Sequence, residues 1–140
     1  MRRALVCLIG VCLVGLLLAG CGGSAPVGAP PTRLTTAAGG TVEVRLSCDT
    51  GNPDAPCAFR PVEARIRVGG TVRWINDDAT FHTVTSSDRP EVRRPNGRFD
   101  AVLDAAGETF EHTFTEPGNY PYYCQPHAEF MAATVQVVPA

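Results

Sequence analysis

The stretch Tyr122-Tyr123-Cys124-Gln125-Pro126-His127-Ala128-Glu129-Phe130-Met131 constrains this chain more than any other. It places a thiol, an imidazole and a thioether within eight residues. An alternating apolar run, Ala132 to Val138, follows directly, and a strand-like aromatic run precedes the thiol. A period of two is the pattern of β-strands, so we expect the three side chains on a loop that joins two strands.

Thiolate, imidazole and thioether are ligands of mononuclear copper sites for electron transfer, which combine two His, one Cys and a weak axial Met. The chain has three histidines: His82, His112 and His127. His112 shares a predicted strand face with Phe110 and Phe114, which favours a packed ring over a ligand. His82 follows a turn at the start of a predicted strand, a position equally compatible with a ligand and with a solvent-exposed turn residue.

The N-terminus has the pattern of an export signal, with a basic start, an apolar run from Ala4 to Leu18 and small residues after it. Leu18-Ala19-Gly20-Cys21 resembles a bacterial lipobox, whose Cys carries lipid. We therefore interpret residues 1–20 as a lipoprotein signal peptide and Cys21 as the lipidation site. An uncleaved anchor helix is the alternative, although the apolar run is short for a membrane span. Residues 21–40 are predicted to be a flexible tether and residues 41–140 the folded domain.

The charge balance argues against general nucleic-acid binding. The chain has 12 basic residues, all Arg, and 14 acidic residues, for a net charge of −2 with His neutral. Loss of Arg2 and Arg3 with the signal would leave a net charge of about −4. Nucleic-acid-binding domains need a basic surface. We expect the partners to include a lipid membrane, through Cys21, but no nucleic acid.

The cysteines divide into three groups. Two of the six lie in the predicted signal, and Cys21 is the predicted lipid site. Exported proteins form disulfides, and the three remaining thiols must leave one unpaired. Cys48 and Cys57 flank a polar, turn-rich loop and are predicted to pair, which leaves Cys124 free for a metal.

Seven or so short alternating runs predict an all-β domain. They are Thr41–Leu46, Val62–Val68, Thr71–Ile75, Phe81–Thr85, Thr109–Phe114, Tyr120–Cys124 and Val135–Val138. Gly69-Gly70 predicts a hairpin between the second and third runs, and residues 86–98 are predicted to form a loop. Short strands separated by regular turns are typical of a β-sandwich.

Three segments resemble the plastocyanin-like cupredoxins. Trp74 to Val84 resembles their first-His segment, Phe99 to Leu103 with Gly107 to Phe110 their middle segment, and Phe114 to His127 their copper loop and the strand before it. The resemblance covers roughly residues 59–138. It implies a Greek-key β-sandwich that binds one type 1 copper ion per chain.

The resemblance also implies the ligands: His82, Cys124 and His127 as strong ligands and Met131 as the axial one. Three residues separate His127 from Met131, a loop length between those of plastocyanin-like and amicyanin-like proteins.

Three further residues are expected to support this site. In the resembled family the residue at Thr83 donates its backbone N–H to the copper-bound sulfur, and the residue at Asn76 braces the ligand loops. Pro126 removes one backbone N–H beside the loop and stiffens it.

Four ligand side chains leave no open position for a substrate, which catalytic metal sites retain. We therefore expect a membrane-anchored, extracytoplasmic electron carrier that is a monomer and not an enzyme. By the resemblance, redox proteins dock near His127. The alternatives are an extracytoplasmic copper-binding or delivery lipoprotein, a structural zinc site, and an exported adhesion domain in which Cys124 is structural. The soft thioether favours copper, and the lack of Met-rich or His-rich tracts favours a carrier.

Overall fold

The structure is a computed structural model that describes residues 34–35, 39–49, 51 and 57–140. The predicted signal peptide, the predicted lipid site Cys21 and most of the predicted tether lie outside these residues. Within the described ranges the chain forms strands, turns and loops, and it contains no helix that could span a membrane.

Ten strands form two sheets in the described part of the chain. They are β1 (Leu34–Thr35), β2 (Thr41–Cys48), β3 (Cys57–Arg60), β4 (Glu63–Arg67), β5 (Thr71–Asn76), β6 (His82–Ser86), β7 (Asp100–Leu103), β8 (Thr109–Thr113), β9 (Gly118–Tyr123) and β10 (Ala132–Val138). The larger sheet has the order β1-β4-β10-β9-β6-β7, and the smaller sheet has the order β3-β2-β5-β8. The all-β sandwich that the sequence predicted is confirmed.

Alternation along the strands builds the core between the sheets. In β2, Val42, Val44 and Leu46 are buried while the intervening Glu43 and Arg45 face solvent. This pattern is what a strand with one face on a core requires. Buried side chains of this kind come from both sheets and form one contiguous cluster.

Trp74 of β5 lies at the centre of this core and is fully buried. Its ring packs against Phe99, Phe110 and Tyr122, with ring centroids 5.6, 5.4 and 5.4 Å away. Truncation of such a side chain to Ala typically costs about 3–5 kcal/mol of unfolding free energy. The aromatic cluster therefore connects β5 and β8 of the smaller sheet to β9 of the larger one.

The predicted hairpin at Gly69-Gly70 is wrong. The turn joins β4 of the larger sheet to β5 of the smaller one, so the chain crosses between sheets here. Gly69 has φ +85°, and a Cβ at Gly70 would lie 2.9 Å from the carbonyl oxygen of Arg67. Glycines are needed for this tight crossover, but the same dipeptide also fits a hairpin turn.

Three strands lie outside the runs that the alternation singled out. β3 and β7 are edge strands of four residues each, and β1 has two residues. β1 lies within the predicted tether and pairs in parallel with Ala64 and Arg65 of β4. Segments this short contain too few alternations for periodicity to distinguish them from loops.

Cys48 and Cys57 are opposite each other on β2 and β3 and are joined by a disulfide. In the chain-entropy description, closing a loop of this size stabilises the folded state by about 2–3 kcal/mol. Cys124 is the free cysteine of the described residues, and it is buried. The disulfide, the β5–β6 turn and the β9–β10 loop lie together at one end of the sandwich.

Candidate metal centre

His82 enters the site from the first residue of β6 and is fully buried. The turn before it is held by Asn76, whose side-chain amide donates to the carbonyl oxygens of Thr80 at 2.9 Å and Leu103 at 3.1 Å. Asn76 Oδ1 accepts the backbone N–H of Asp78 at 3.1 Å. Asn76 is itself fully buried, so these hydrogen bonds fix the position from which His82 extends.

The loop from Cys124 to Met131 joins β9 to β10 and closes on itself through its backbone. The Cys124 N–H donates to the Met131 carbonyl at 3.0 Å, and the Met131 N–H donates to the His127 carbonyl at 2.9 Å. The His127 N–H returns to the Cys124 carbonyl at 3.2 Å. Because backbone hydrogen bonds join the two ends of the loop, the Cys124 and His127 side chains project from a short segment whose backbone is held in place.

Cys124, His82 and His127 converge on one point. The Cys124 Sγ lies 3.6 Å from the Nδ1 of His82 and 3.4 Å from the Nδ1 of His127. One donor atom from each residue lies within 4.8 Å of the other two, and the two imidazole centroids are 5.2 Å apart. A single ion placed among these atoms would be reached by all three donors.

Thr83 contributes two hydrogen bonds beside the thiol. Its backbone N–H donates to the Cys124 Sγ at 3.4 Å, as the sequence resemblance implied. Its hydroxyl oxygen accepts the backbone N–H of Gln125 at 2.8 Å. One residue of β6 therefore holds both the sulfur and the start of the ligand loop.

Burial affects the protonation of Cys124 and His127. It raises the pKa of the Cys124 thiol, and the backbone N–H groups of Thr83 and His127 partly oppose that rise. Burial also lowers the pKa of His127, and the nearby His82 ring acts in the same direction. The metal-free site thus favours a protonated thiol and a neutral His127 imidazole, and a metal ion would have to displace the thiol proton.

Met131 is fully buried and packs in the core cluster at the end of the ligand loop. Pro126 is exposed on the outer side of the loop. His112 lies on β8 in the smaller sheet, where its ring packs 5.1 Å from Phe99 and 4.7 Å from Phe114. Among the described residues, the groups of converging donor atoms do not include His112.

Sequence reasoning missed two contacts of the histidine that comes from β6. The His82 Nε2 lies 3.3 Å from the carboxylate of Asp78 and 3.8 Å from the Cys48 Sγ. The sequence signal that could have identified Asp78 is its carboxylate, four residues before the candidate ligand His82. Nothing local could place Cys48, which reaches the site from β2 across 34 residues of sequence.

A third missed contact braces the ligand loop from outside. The Arg93 Nε donates to the Ala128 carbonyl at 2.8 Å, and the guanidinium lies 6.0 Å from the Tyr123 ring centroid. Ser86 is the last residue of β6, so the predicted loop of residues 86–98 begins one residue later than predicted, and residues 87–98 contain no strand. This segment packs against the candidate site through Arg93.

The donor set fits copper. Two imidazole nitrogens and one cysteine sulfur are the strong donors of copper electron-transfer sites, which add a weak axial Met. Met131, which is fully buried at the end of the ligand loop, is the predicted axial residue. The three strong donors come from a stiff strand and a braced loop, so the protein sets their spacing before a metal binds.

Comparisons with known proteins agree with this donor set. Residues 46–138 match the profile of the copper binding proteins of the plastocyanin/azurin family. The chain is 33% identical over 92 residues to a plastocyanin of Scenedesmus fuscus, covering 61% of this chain and 87% of that protein. It is 30% identical over 103 residues to amicyanin-alpha of Methylorubrum extorquens, covering 71% of this chain and 83% of that protein.

A solved structure shares the fold and part of the sequence. The purple cupredoxin from Nitrosopumilus maritimus aligns with a TM-score of 0.57 and 29% identity, covering 69% of this chain and 98% of that one. The matched profile extends from the end of β2 to the end of β10, and so includes both ligand segments. The predicted resemblance is confirmed: this chain belongs to the plastocyanin/azurin family of copper-binding proteins.

Proposed function

We propose that this protein carries single electrons at a type 1 copper site. Its strong ligands would be His82, Cys124 and His127, and its axial ligand Met131. The observation that carries the proposal is the convergence of both Nδ1 atoms on the Cys124 Sγ, at 3.6 and 3.4 Å. Copper, when bound there, would supply the one-electron change between Cu(II) and Cu(I).

The protein's contribution is a cage that changes little between the two oxidation states. Asn76 and Thr83 hold the His82 segment and the sulfur through hydrogen bonds that do not involve the metal. The ligand loop is paired at both ends by backbone hydrogen bonds. A site with fixed ligands needs little rearrangement when its charge changes, and this favours fast electron transfer.

His127 offers the route by which electrons would enter and leave. It is partly exposed, and its ring lies 5.8 Å from the Phe130 ring, which is 36% exposed. A shallow surface pocket at this position is lined by the apolar residues Pro126, Ala128 and Phe130 and by the polar residues Gln125, His127 and Glu129. Apolar residues around a polar ring suit short-lived contact with a redox protein, and we place the docking site here. We propose that the protein itself is a monomer.

Electron transfer fits this site better than catalysis. With Met131 as the fourth donor the metal would have no open position for a substrate, whereas catalytic metal sites retain one. Met131 is buried at the end of the ligand loop, so a buried thioether is available on the core side of the site.

The test is reconstitution of the mature protein with Cu(II). We expect one copper per chain, an intense blue thiolate-to-copper absorption, and rapid reversible reduction by a one-electron donor. His82→Ala, Cys124→Ser and His127→Ala should each abolish the colour, whereas the matched control His112→Ala should keep it. Pale copper that exchanges rapidly with a chelator would instead support the delivery function, and an absence of metal binding would support the adhesion domain.

We further propose that the domain is held on the extracytoplasmic face of a membrane by lipid on Cys21. The support is the apolar N-terminal run that ends in Leu18-Ala19-Gly20-Cys21, followed by small residues and prolines. Wild-type protein should fractionate with membranes, and Cys21→Ser should be released or remain an uncleaved precursor. Mass spectrometry that finds an unmodified Cys21 in the intact protein would contradict the anchor.

A further inference from the structure

The side of His82 that faces away from Cys124 meets a carboxylate. The His82 Nδ1 lies toward the thiol, while its Nε2 lies 3.3 Å from both oxygens of Asp78. His82 is fully buried, and the Asp78 side chain is 25% exposed. The imidazole therefore stands between the candidate metal position and a partly buried carboxylate.

Asp78 is fixed in this position by the backbone. Its Oδ2 accepts the N–H of Cys48 at 2.8 Å, and its Oδ1 accepts the N–H of Thr80 at 2.9 Å. Burial raises the pKa of this carboxyl, but its hydrogen bonds from Cys48, His82 and Thr80 together lower the pKa below its ordinary value. The carboxylate is thus held by groups that tie β2 to the β5–β6 turn.

Among the ion pairs of the described residues, Asp78 pairs with His82 and with no arginine. Its neighbour Asp77 forms an ion pair with Arg45 at 2.7 Å. Both aspartates lie in the same turn and carry the same charge. Only Asp78 contacts the imidazole, so the two residues form a natural matched pair for experiment.

The chemistry of histidine connects these contacts to the metal. A neutral imidazole that offers Nδ1 to a metal must carry its proton on Nε2, and that N–H needs an acceptor. A carboxylate acceptor fixes this tautomer and the ring orientation, and it makes the ligating nitrogen more basic. A fixed negative charge behind the ring also favours the more positive oxidation state of the metal.

We propose that Asp78 is a positioning residue that holds His82 in its Nε2–H tautomer and lowers the reduction potential of the copper site. The inference rests on the proposed function, in which the His82 Nδ1 binds copper. Among the hydrogen bonds of the described residues, Asp78 contacts His82 and not the Cys124 thiol. It acts through the imidazole, and the Cys48 N–H couples it to the strand that carries the disulfide.

The main test compares wild type, Asp78→Asn and the matched control Asp77→Asn at one pH and ionic strength. We expect Asp78→Asn to keep the blue absorption, because Asn retains an acceptor for the Thr80 N–H, and to raise the midpoint potential. It should also release Cu(II) to a chelator faster than wild type. Asp77→Asn should remain close to wild type in both measurements. Equal potentials for the two variants would overturn the proposal.

A second measurement needs no metal and separates this inference from the proposed function. In the copper-free protein, ¹H–¹⁵N NMR of the imidazoles at a pH where they are neutral should show the Nε2–H tautomer for His82. Asp78→Asn should reduce the population of that tautomer. A His82 that is protonated on Nδ1 in wild type would overturn the inference even if copper binds. If Asp78→Asn does not fold, Asp78→Ser supplies a smaller neutral acceptor for the same comparison.

Discussion

The two histidines that face Cys124 stand in opposite surroundings. His82 is fully buried at the start of β6, a strand whose five residues are all buried. Its far nitrogen contacts Asp78 at 3.3 Å. His127 follows Cys124 by three residues in a surface loop, is partly exposed, and packs against the half-exposed ring of Phe130.

The difference separates two tasks within one proposed site. The buried side, built on β6 and braced by Asn76, determines geometry and charge. The exposed side, built on the loop, gives the site its contact with the outside. The same residue type can do both because burial and hydrogen-bond partners, rather than identity, decide how an imidazole behaves.

The strongest way to break this comparison is to remove each ring separately. His82→Gly and His127→Gly should each weaken copper binding by at least about tenfold. Removing a residue that only hydrogen-bonds a metal ligand already costs about that much affinity, and removing the ligand itself should cost no less. Added imidazole should restore the blue absorption in His127→Gly, since solvent reaches that position, but not in the buried His82→Gly. Absorption titrations with imidazole measure this, and equal rescue of both variants would show that the two sides do not differ in access.

A smaller effect is expected at the axial position, which belongs to neither side. Met131→Leu should keep the blue colour and raise the reduction potential, because loss of an axial donor disfavours Cu(II). Met131→Gln, with a harder oxygen donor, should lower it. We expect shifts on the order of 60 mV, equivalent to a tenfold change in relative affinity for a one-electron couple. Redox titration measures the shifts, and wild-type potentials in both variants would exclude Met131 as a ligand.

The smallest effect concerns His112, the histidine that serves neither side. Burial lowers its pKa below the ordinary value of 6.5. Below pH 6.5 the unfolded chain therefore binds this proton more readily than the folded protein does. The free energy of unfolding decreases as the pH is lowered from 6.5 to the pKa of the folded protein. In urea unfolding of the copper-free protein, His112→Gln should lose less stability than wild type over this acidic range. An identical pH dependence in the two proteins would contradict the shift.

Much of the fold and of the site could be predicted because the signals are local. Alternation in β2, β5 and β10 is visible within each strand, and Cys124, His127 and Met131 lie within eight residues. His82 was different, since its position alone fitted an exposed turn as well as a ligand. Only resemblance to a family favoured it in the sequence, and in the structure its Nδ1 faces the thiol.

By itself, the sequence determined the longer strands, that Cys48 and Cys57 can pair, and which donors share one loop, because these follow from side-chain pattern and short chain distances. Tertiary structure decided which sheet each strand joins, since alternation is the same in either sheet, and so the crossover at Gly69-Gly70 was misread as a hairpin. It also decided the surroundings of His82. The disulfide sulfur and the backbone N–H that fixes Asp78 both come from Cys48 of β2, 34 residues before His82 and 30 residues before Asp78. Periodicity within a strand contains no information about contacts between distant strands.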